Sequence, residues 1–208
     1  MNRISTFLAA ALIGAAAPSY ADNYCGDLTA GYGPYDYRER SSGKLEIVEQ
    51  HHFNKDVENG VRGQSSYLGD DLNYTLIAIP NHHRALATIA NVTIRLKTLK
   101  LEGAKYPTEC YFERAIRFAP NDGVVRATYG NYLNSRGQSD KALAMFETAI
   151  EFEPDNAAIN YNLGLLYLKT KNYDKATEYA DKAYELGFPL PGLKNQLAAA
   201  RKAAQGSK

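Results

Sequence analysis

The chain has 208 residues, with 24 Lys and Arg against 23 Asp and Glu and a formal net charge of +1. A balance this even supplies no long-range field, and it argues against nucleic acid as a partner, because neutralising phosphates needs clustered cations. The length suits one domain with an appended segment; tyrosine is abundant at 16 residues and tryptophan is absent.

Residues 1–21 read as a signal peptide. Arg3 gives a positive start, Phe7 to Ala17 is apolar, and Ser19-Tyr20-Ala21 fits a small-x-small cleavage site. The expected mature chain begins near Asp22, exported to a bacterial periplasm. The apolar run is short for a bilayer span, so no stable membrane insertion is expected. Cys25 lies beyond the cleavage site rather than next to it, which argues against lipid attachment.

Residues 22–70 form a Gly/Tyr-rich segment of irregular character. Gly26, Gly31, Gly33, Pro34 and Gly43 break helices, and Tyr24, Tyr32, Tyr35 and Tyr37 are interleaved with them. So many aromatic residues are foreign to ordinary disorder. The segment either straps onto the rest of the molecule or presents tyrosines to a ligand. Cys25 and Cys110 are the two cysteines. An oxidising compartment favours a Cys25–Cys110 bond, which would pin the strap; two free thiols are the alternative. Residues 45–53 alternate poorly and fit a short strand or a turn of helix. Asn54 can cap a short helix over Lys55 to Val61. Asp70 and Asp71 can cap another over roughly Leu72 to Ile79, where a strand is the competing reading because Thr75, Ile77 and Ile79 are β-branched.

The four histidines come in two adjacent pairs, His51-His52 and His82-His83. Imidazoles can bind zinc or copper in an exported protein. Neighbours on a helix point about 100° apart, however, and metal-binding helices space their histidines four apart. The two pairs would have to converge in space, and nothing in the spacing requires it. No cofactor or metal is therefore assigned, and the plainer reading sets His82 and His83 in the turn and first helical turn after Pro80, bonded to nearby backbone. The alternative is a histidine-based metal or small-molecule site, possibly enzymatic, near residues 45–84. No serine or cysteine stands in a nucleophile motif, so no catalytic residue is named.

From residue 81 onward the chain repeats itself. Phe112, Ala115, Ile116, Phe118 and Pro120 recur 34 residues later as Phe146, Ala149, Ile150, Phe152 and Pro154. Gly130 and Ala142 recur as Gly164 and Ala176, and Ala149 as Ala183. Small residues at such spacing let paired helices cross closely, and each short helix persists by stacking on its neighbours. Ser139 or Asp140 can cap one helix, and Asp155 or Asn156 the next.

This pattern resembles the tetratricopeptide repeat family. Gly130, Ala142, Ala149 and Pro154 fill the family's small-residue and proline places in 123–156. Gly164, Ala176 and Ala183 fill them in 157–190, where Phe188 replaces the proline. A degenerate repeat, 81–122, carries about six extra residues within LKLEGAKYP. The resemblance implies an all-α, helix-turn-helix solenoid of about three repeats spanning 71–190. It also implies a concave groove lined by the first helix of each pair. The groove residues so assigned are Arg126, Asn131, Asn134, Tyr161, Asn162 and Leu165. Ala127 and Tyr161 stand where carboxylate-gripping relatives have lysine, which argues against recognition of a free C-terminus.

Residues 191–208 close the chain. Leu193, Leu197, Ala200 and Ala204 follow a helical spacing, as expected of a capping helix that shields the last repeat. The sequence thus points to a non-enzymatic periplasmic scaffold or adaptor with a protein or peptide partner in its groove.

Overall fold

The computed structural model describes residues 24–39 and 43–206. The signal peptide and its cleavage site lie outside the described residues. Among those described, ten helices and no strand are found. They are α1 (Lys44–His52), α2 (Lys55–Glu58), α3 (Leu68–Ala78), α4 (His83–Arg95), α5 (Thr108–Phe118), α6 (Gly123–Ser135), α7 (Ser139–Phe152), α8 (Ala157–Lys169), α9 (Tyr173–Glu185) and α10 (Gly192–Gly206). No helix among the described residues is long and apolar enough to cross a membrane.

Helices α4/α5, α6/α7 and α8/α9 are successive hairpins, and α3 precedes them as the second helix of an earlier pair. A side chain that accepts a backbone amide marks the entrance of each first helix. His82 accepts from Ala85, Asp122 from Val125, and Asn156 from Ala158 and Ile159. Such acceptors satisfy amides that have no partner inside the helix. Close crossing needs small residues. A Cβ on Gly130 would lie 2.8 Å from the Phe146 ring, and one on Gly164 would lie 2.7 Å from Leu193. Ala115, Ala142, Ala149, Ala176 and Ala183 are fully buried at the matching positions. One apolar core runs from Phe53 and Val57 through every hairpin to Leu193 and Leu197 on α10. Helix α10 therefore covers the last hairpin with its leucines.

The N-terminal half departs from the sequence reading in three places. Residues 45–53 are neither a strand nor a single turn. They lie almost wholly in α1, whose Leu45 and Val48 are buried against Tyr37, Ala78 and Ile79. The helix capped by Asn54, which accepts the Val57 amide at 3.0 Å, ends at Glu58 rather than Val61. Helix α3 starts at Leu68, not Leu72. Tyr67 stands at its entrance, and the Asp70 carboxylate accepts the Tyr67 amide at 3.3 Å. Asp71 lies inside the helix and is buried, so it caps nothing. In the second half, α7 is entered from Gln138 with no side-chain cap, so neither Ser139 nor Asp140 performs that task. The extra residues of the degenerate repeat lie in the 96–107 loop between α4 and α5. That loop returns onto α3, where Asn73 Oδ1 accepts from the Lys105 amide and from the Tyr111 hydroxyl.

Candidate functional site

The strap is held along its length by the outer helix α5 and by the turns that begin α4 and α6. Cys25 is bonded to Cys110, with Cα atoms 5.0 Å apart. Two residues of α5 then collect strap carbonyls. Arg114 Nη1 donates to the carbonyl oxygens of Cys25 and Asp27, and Arg117 Nη2 donates to that of Gly26 at 2.6 Å. Arg114 is 1 % exposed, and burial pushes its guanidinium pKa down. Further on, the Tyr35 amide donates to the Ala78 carbonyl at 2.9 Å, one bond of the kind that would extend α3.

Asn81 joins the strap to the repeats. Its Oδ1 accepts the Tyr37 amide at 2.9 Å, and its Nδ2 donates to Asp36 at 2.7 Å and to Asp122 at 2.9 Å. His83 Nε2 lies 2.9 Å from the same Asp122 carboxylate. Burial pushes the Asp122 carboxyl up, but the bonds from His83, Asn81 and the Val125 amide outweigh it and hold the pKa below the usual carboxylate value. The Arg38 guanidinium holds Asp36 well below its usual value against a smaller opposing effect of burial. The Tyr37 ring fills the space over His82 and His83, with centroids 4.2 and 5.0 Å away.

The four histidines are thereby accounted for in separate settings. His82 is fully buried, and its Nε2 donates to Glu49 at 3.1 Å. His52 Nδ1 meets Asp71 at 2.9 Å and its ring stacks on Tyr74 at 3.8 Å. Burial pushes Asp71 up, while His52, the Gln64 and Ser65 amides and the Ser65 hydroxyl pull it down, and the net shift is downward. His51 is exposed at the edge of a small cleft of about 150 Å³ with Ile47 and Tyr32. Among the described residues no group of three or more His, Cys, Asp or Glu side chains is placed to hold a metal ion.

Between α4 and α6 runs a cleft of about 270 Å³, lined by Asn91 and Ile94 from one helix and by Thr128, Asn131 and Ser135 from the other. Asn91 and Asn131 are both exposed there. The cleft continues past Asn91 towards α2, where Glu58, Arg84 and Arg95 line a second hollow of about 300 Å³. Helix α2 is fixed at that end by Thr88, whose hydroxyl donates to the Glu58 carbonyl at 2.7 Å, and by Arg95, which donates to the Gly60 carbonyl at 2.6 Å.

The residues assigned to the groove from sequence are not all placed alike. Asn131 lines the cleft. Asn134, half-buried, accepts from Lys169 at 2.6 Å. Arg126 stacks over Phe152 at 5.3 Å. Asn162 and Leu165 are half-buried on α8, and Leu165 packs on the core. Tyr161 is 8 % exposed, its ring stacked on Phe188 at 4.0 Å, so it is a packing residue under the 188–192 turn and not part of an open wall. The 34-residue offset places Leu165, not Asn162, at the level of Asn131. Sequence reasoning missed Asn91. The capping residues His82 and Asp122 stand 40 positions apart, and the same step from Asn91 reaches Asn131, so the inserted loop had shifted the match.

Two family models match the chain. One, described as TPR repeat, covers residues 130–171. The other, described as Tetratricopeptide repeat, covers residues 157–187. The mitochondrial import receptor subunit TOM70 of Rattus norvegicus is 37 % identical over 76 residues, which are 36 % of this chain and 12 % of the receptor subunit. The BBSome complex member BBS4 of Bos taurus is 43 % identical over 44 residues, 21 % of this chain and 8 % of that protein. The chain thus spans about one eighth or less of the length of these curated relatives. Among solved structures, the RS-1 double mutant of MamA shares the fold at a TM-score of 0.50 and 19 % identity, over 70 % of this chain and 76 % of that one. The TPR protein YrrB aligns at a TM-score of 0.46 and 27 % identity, over 65 % and 64 % of the two chains. With their small-residue crossings and capped first helices, and on these two family models, residues 130–187 are tetratricopeptide repeats.

Proposed function

We propose that this protein is a non-enzymatic scaffold of the bacterial periplasm that holds an extended segment of a partner protein against the inner wall of α4 and α6. Tetratricopeptide repeats support a role in protein interaction. The observation that carries the finer reading is the division of faces. The strap's bonds fall on α5 and on the turns at Asn81 and Asp122, while Asn91 and Asn131 stand exposed on the opposite wall. An asparagine amide both donates and accepts, so two of them on neighbouring helices can each engage a peptide group of one extended chain, a few residues apart. The small side chains between them, Ala87, Ala90 and Thr128, leave the backbone room to approach. The apolar, Arg3-led start of the sequence supports export.

The test is a photo-crosslinking residue placed at Ser135 in the full chain expressed in a bacterial envelope. A protein trapped there, and lost when Asn91→Ala and Asn131→Ala are combined, is the expected result. The loss of two hydrogen-bonding amides facing the peptide corresponds to roughly tenfold to a hundredfold weaker binding. Trapping that is undiminished in the double variant would remove the groove from the reading. Fractionation of the same cells, with sequencing of the mature N-terminus, checks export; a chain retained in the cytoplasm with Met1 intact would refute it.

A further inference from the structure

The C-terminal end of the solenoid carries a second surface, unrelated to the inner groove. Helices α9 and α10 run back along each other from the turn around Leu190. The Lys194 amide donates to the Tyr184 hydroxyl at 3.1 Å near that turn, and Arg201 donates to the Thr177 hydroxyl at 3.1 Å at the far end. Between them lies an open groove of about 710 Å³, floored by Ala180, Tyr184 and Leu197. The groove is open to solvent along its length, and its charged banks rather than its floor distinguish it.

The two banks of the groove are oppositely charged. The α9 bank carries Asp181 and Glu185, one helical turn apart, and the α10 bank carries Lys194 and Arg201, two turns apart. All four are exposed, and among the described residues none of them forms an ion pair. The bonds at either end fix the levels along the groove. Lys194 stands level with Tyr184 and hence with Glu185, and Arg201 stands level with Thr177, one helical turn beyond Asp181 and within reach of its long side chain.

We propose that this groove is where a second copy of the chain docks, about a two-fold axis running along the groove. That axis lays α10 of one copy on α9 of the other and keeps each level unchanged. Lys194 then faces the second copy's Glu185, and Arg201 its Asp181, twice over by symmetry. An axis across the groove would instead bring acidic bank to acidic bank and basic to basic. The charge pattern therefore selects one isologous arrangement and opposes the other.

Sedimentation equilibrium of the full chain over a dilution series reads the outcome. The wild type associates to a dimer. Lys194→Glu with Arg201→Glu weakens that dimer by about tenfold or more, and Asp181→Lys with Glu185→Lys does the same. All four substitutions together restore it, because the two banks have exchanged sign. Far-ultraviolet circular dichroism confirms that each variant is folded. A monomer at every concentration overturns the proposal. So does a dimer indifferent to either bank's reversal, or one that the fourfold exchange fails to restore.

Discussion

His82 and Ala85 meet at the entrance of α4, where the imidazole Nδ1 accepts the Ala85 amide at 3.1 Å. Histidine thus does the work that Asp122 and Asn156 do for the next two first helices. The cap requires an unprotonated Nδ1, and Nε2 carries the proton towards Glu49. Burial is the main force lowering the His82 pKa; the facing Glu49 carboxylate opposes it and the Arg84 guanidinium adds to it.

The sign of the pH dependence follows. The folded protein binds the His82 proton less readily than the unfolded chain, whose histidine has the usual value near 6.5. Stability from this group is complete above that value and is lost as pH falls below it towards the depressed folded value. Thermal melting temperature should therefore decline between about pH 7 and about pH 5, above the range in which the depressed carboxyls of Asp71 and Asp122 take up protons. His82→Asn keeps a capping oxygen and should flatten that decline. An equal slope in the variant and the wild type would assign the effect elsewhere.

The Cys25–Cys110 bond closes a stretch of 85 residues. A loop of that length corresponds to about 4–5 kcal/mol of stabilisation through restriction of the unfolded chain. Cys25→Ser with Cys110→Ser should lower the urea midpoint accordingly. It should also raise amide exchange around Gly26 to Thr29, where Arg114 and Arg117 would be left as the main anchors. Unchanged exchange in that segment would mean that the arginine-to-carbonyl bonds suffice.

How much of this could be read in advance divides at about residue 108. The hairpins of 123–190 were legible because Gly130, Ala142 and Ala149 recur at one fixed spacing, and crossing helices tolerate little else there. The N-terminal half was not. Helix α1 has only Leu45 and Val48 buried, too sparse a pattern to distinguish from a turn. Asp70-Asp71 looked like a helix start, yet Asp71 serves the 64–65 backbone and His52 from within the helix. Arg114 stands beside the repeat positions Ala115 and Ile116 with nothing in the spacing to mark it as buried; the strap carbonyls and the Tyr106 ring that cover it come from distant parts of the chain. The position of His82 in the turn after Pro80 does suggest a bond to nearby backbone, and the Ala85 amide supplies it. The site was half legible: Asn131 was identified, while its neighbour Asn91 was hidden by the inserted loop.

Gly130 tests the close crossing of α6 and α7. An added methyl would stand 2.8 Å from two atoms of the Phe146 ring and 3.3 Å from the Ala142 carbonyl oxygen. Phe146 is 1 % exposed and cannot swing into solvent. Alanine is favoured over glycine in a helix by about 1 kcal/mol. Overpacking a tight core costs typically about 1–3 kcal/mol. Gly130→Ala should therefore destabilise by about 1–2 kcal/mol in urea unfolding, against the direction that helix propensity alone gives. A gain in stability would show that the hairpin can open without cost.

Asn81 tests whether the strap and the repeats form one cooperative unit. It is fully buried and links the Tyr37 amide, Asp36 and Asp122. Asn81→Ala leaves the Tyr37 amide without this acceptor and removes a donor from the buried Asp122 carboxylate, which keeps His83 at 2.9 Å and the Arg38 guanidinium at 3.9 Å. Each stranded buried group costs about 1–3 kcal/mol. A total loss of about 3 kcal/mol is expected, with the strap affected first, since Tyr37 also roofs the two histidines. Hydrogen exchange separates the two possibilities. If exchange rises at Tyr35 to Arg38 and in α1 while α6 to α9 keep their protection, the strap detaches as its own unit. If protection falls uniformly through α9, the polar junction at Asn81 couples the strap to the whole stack, and the repeats owe part of their stability to the segment that precedes them.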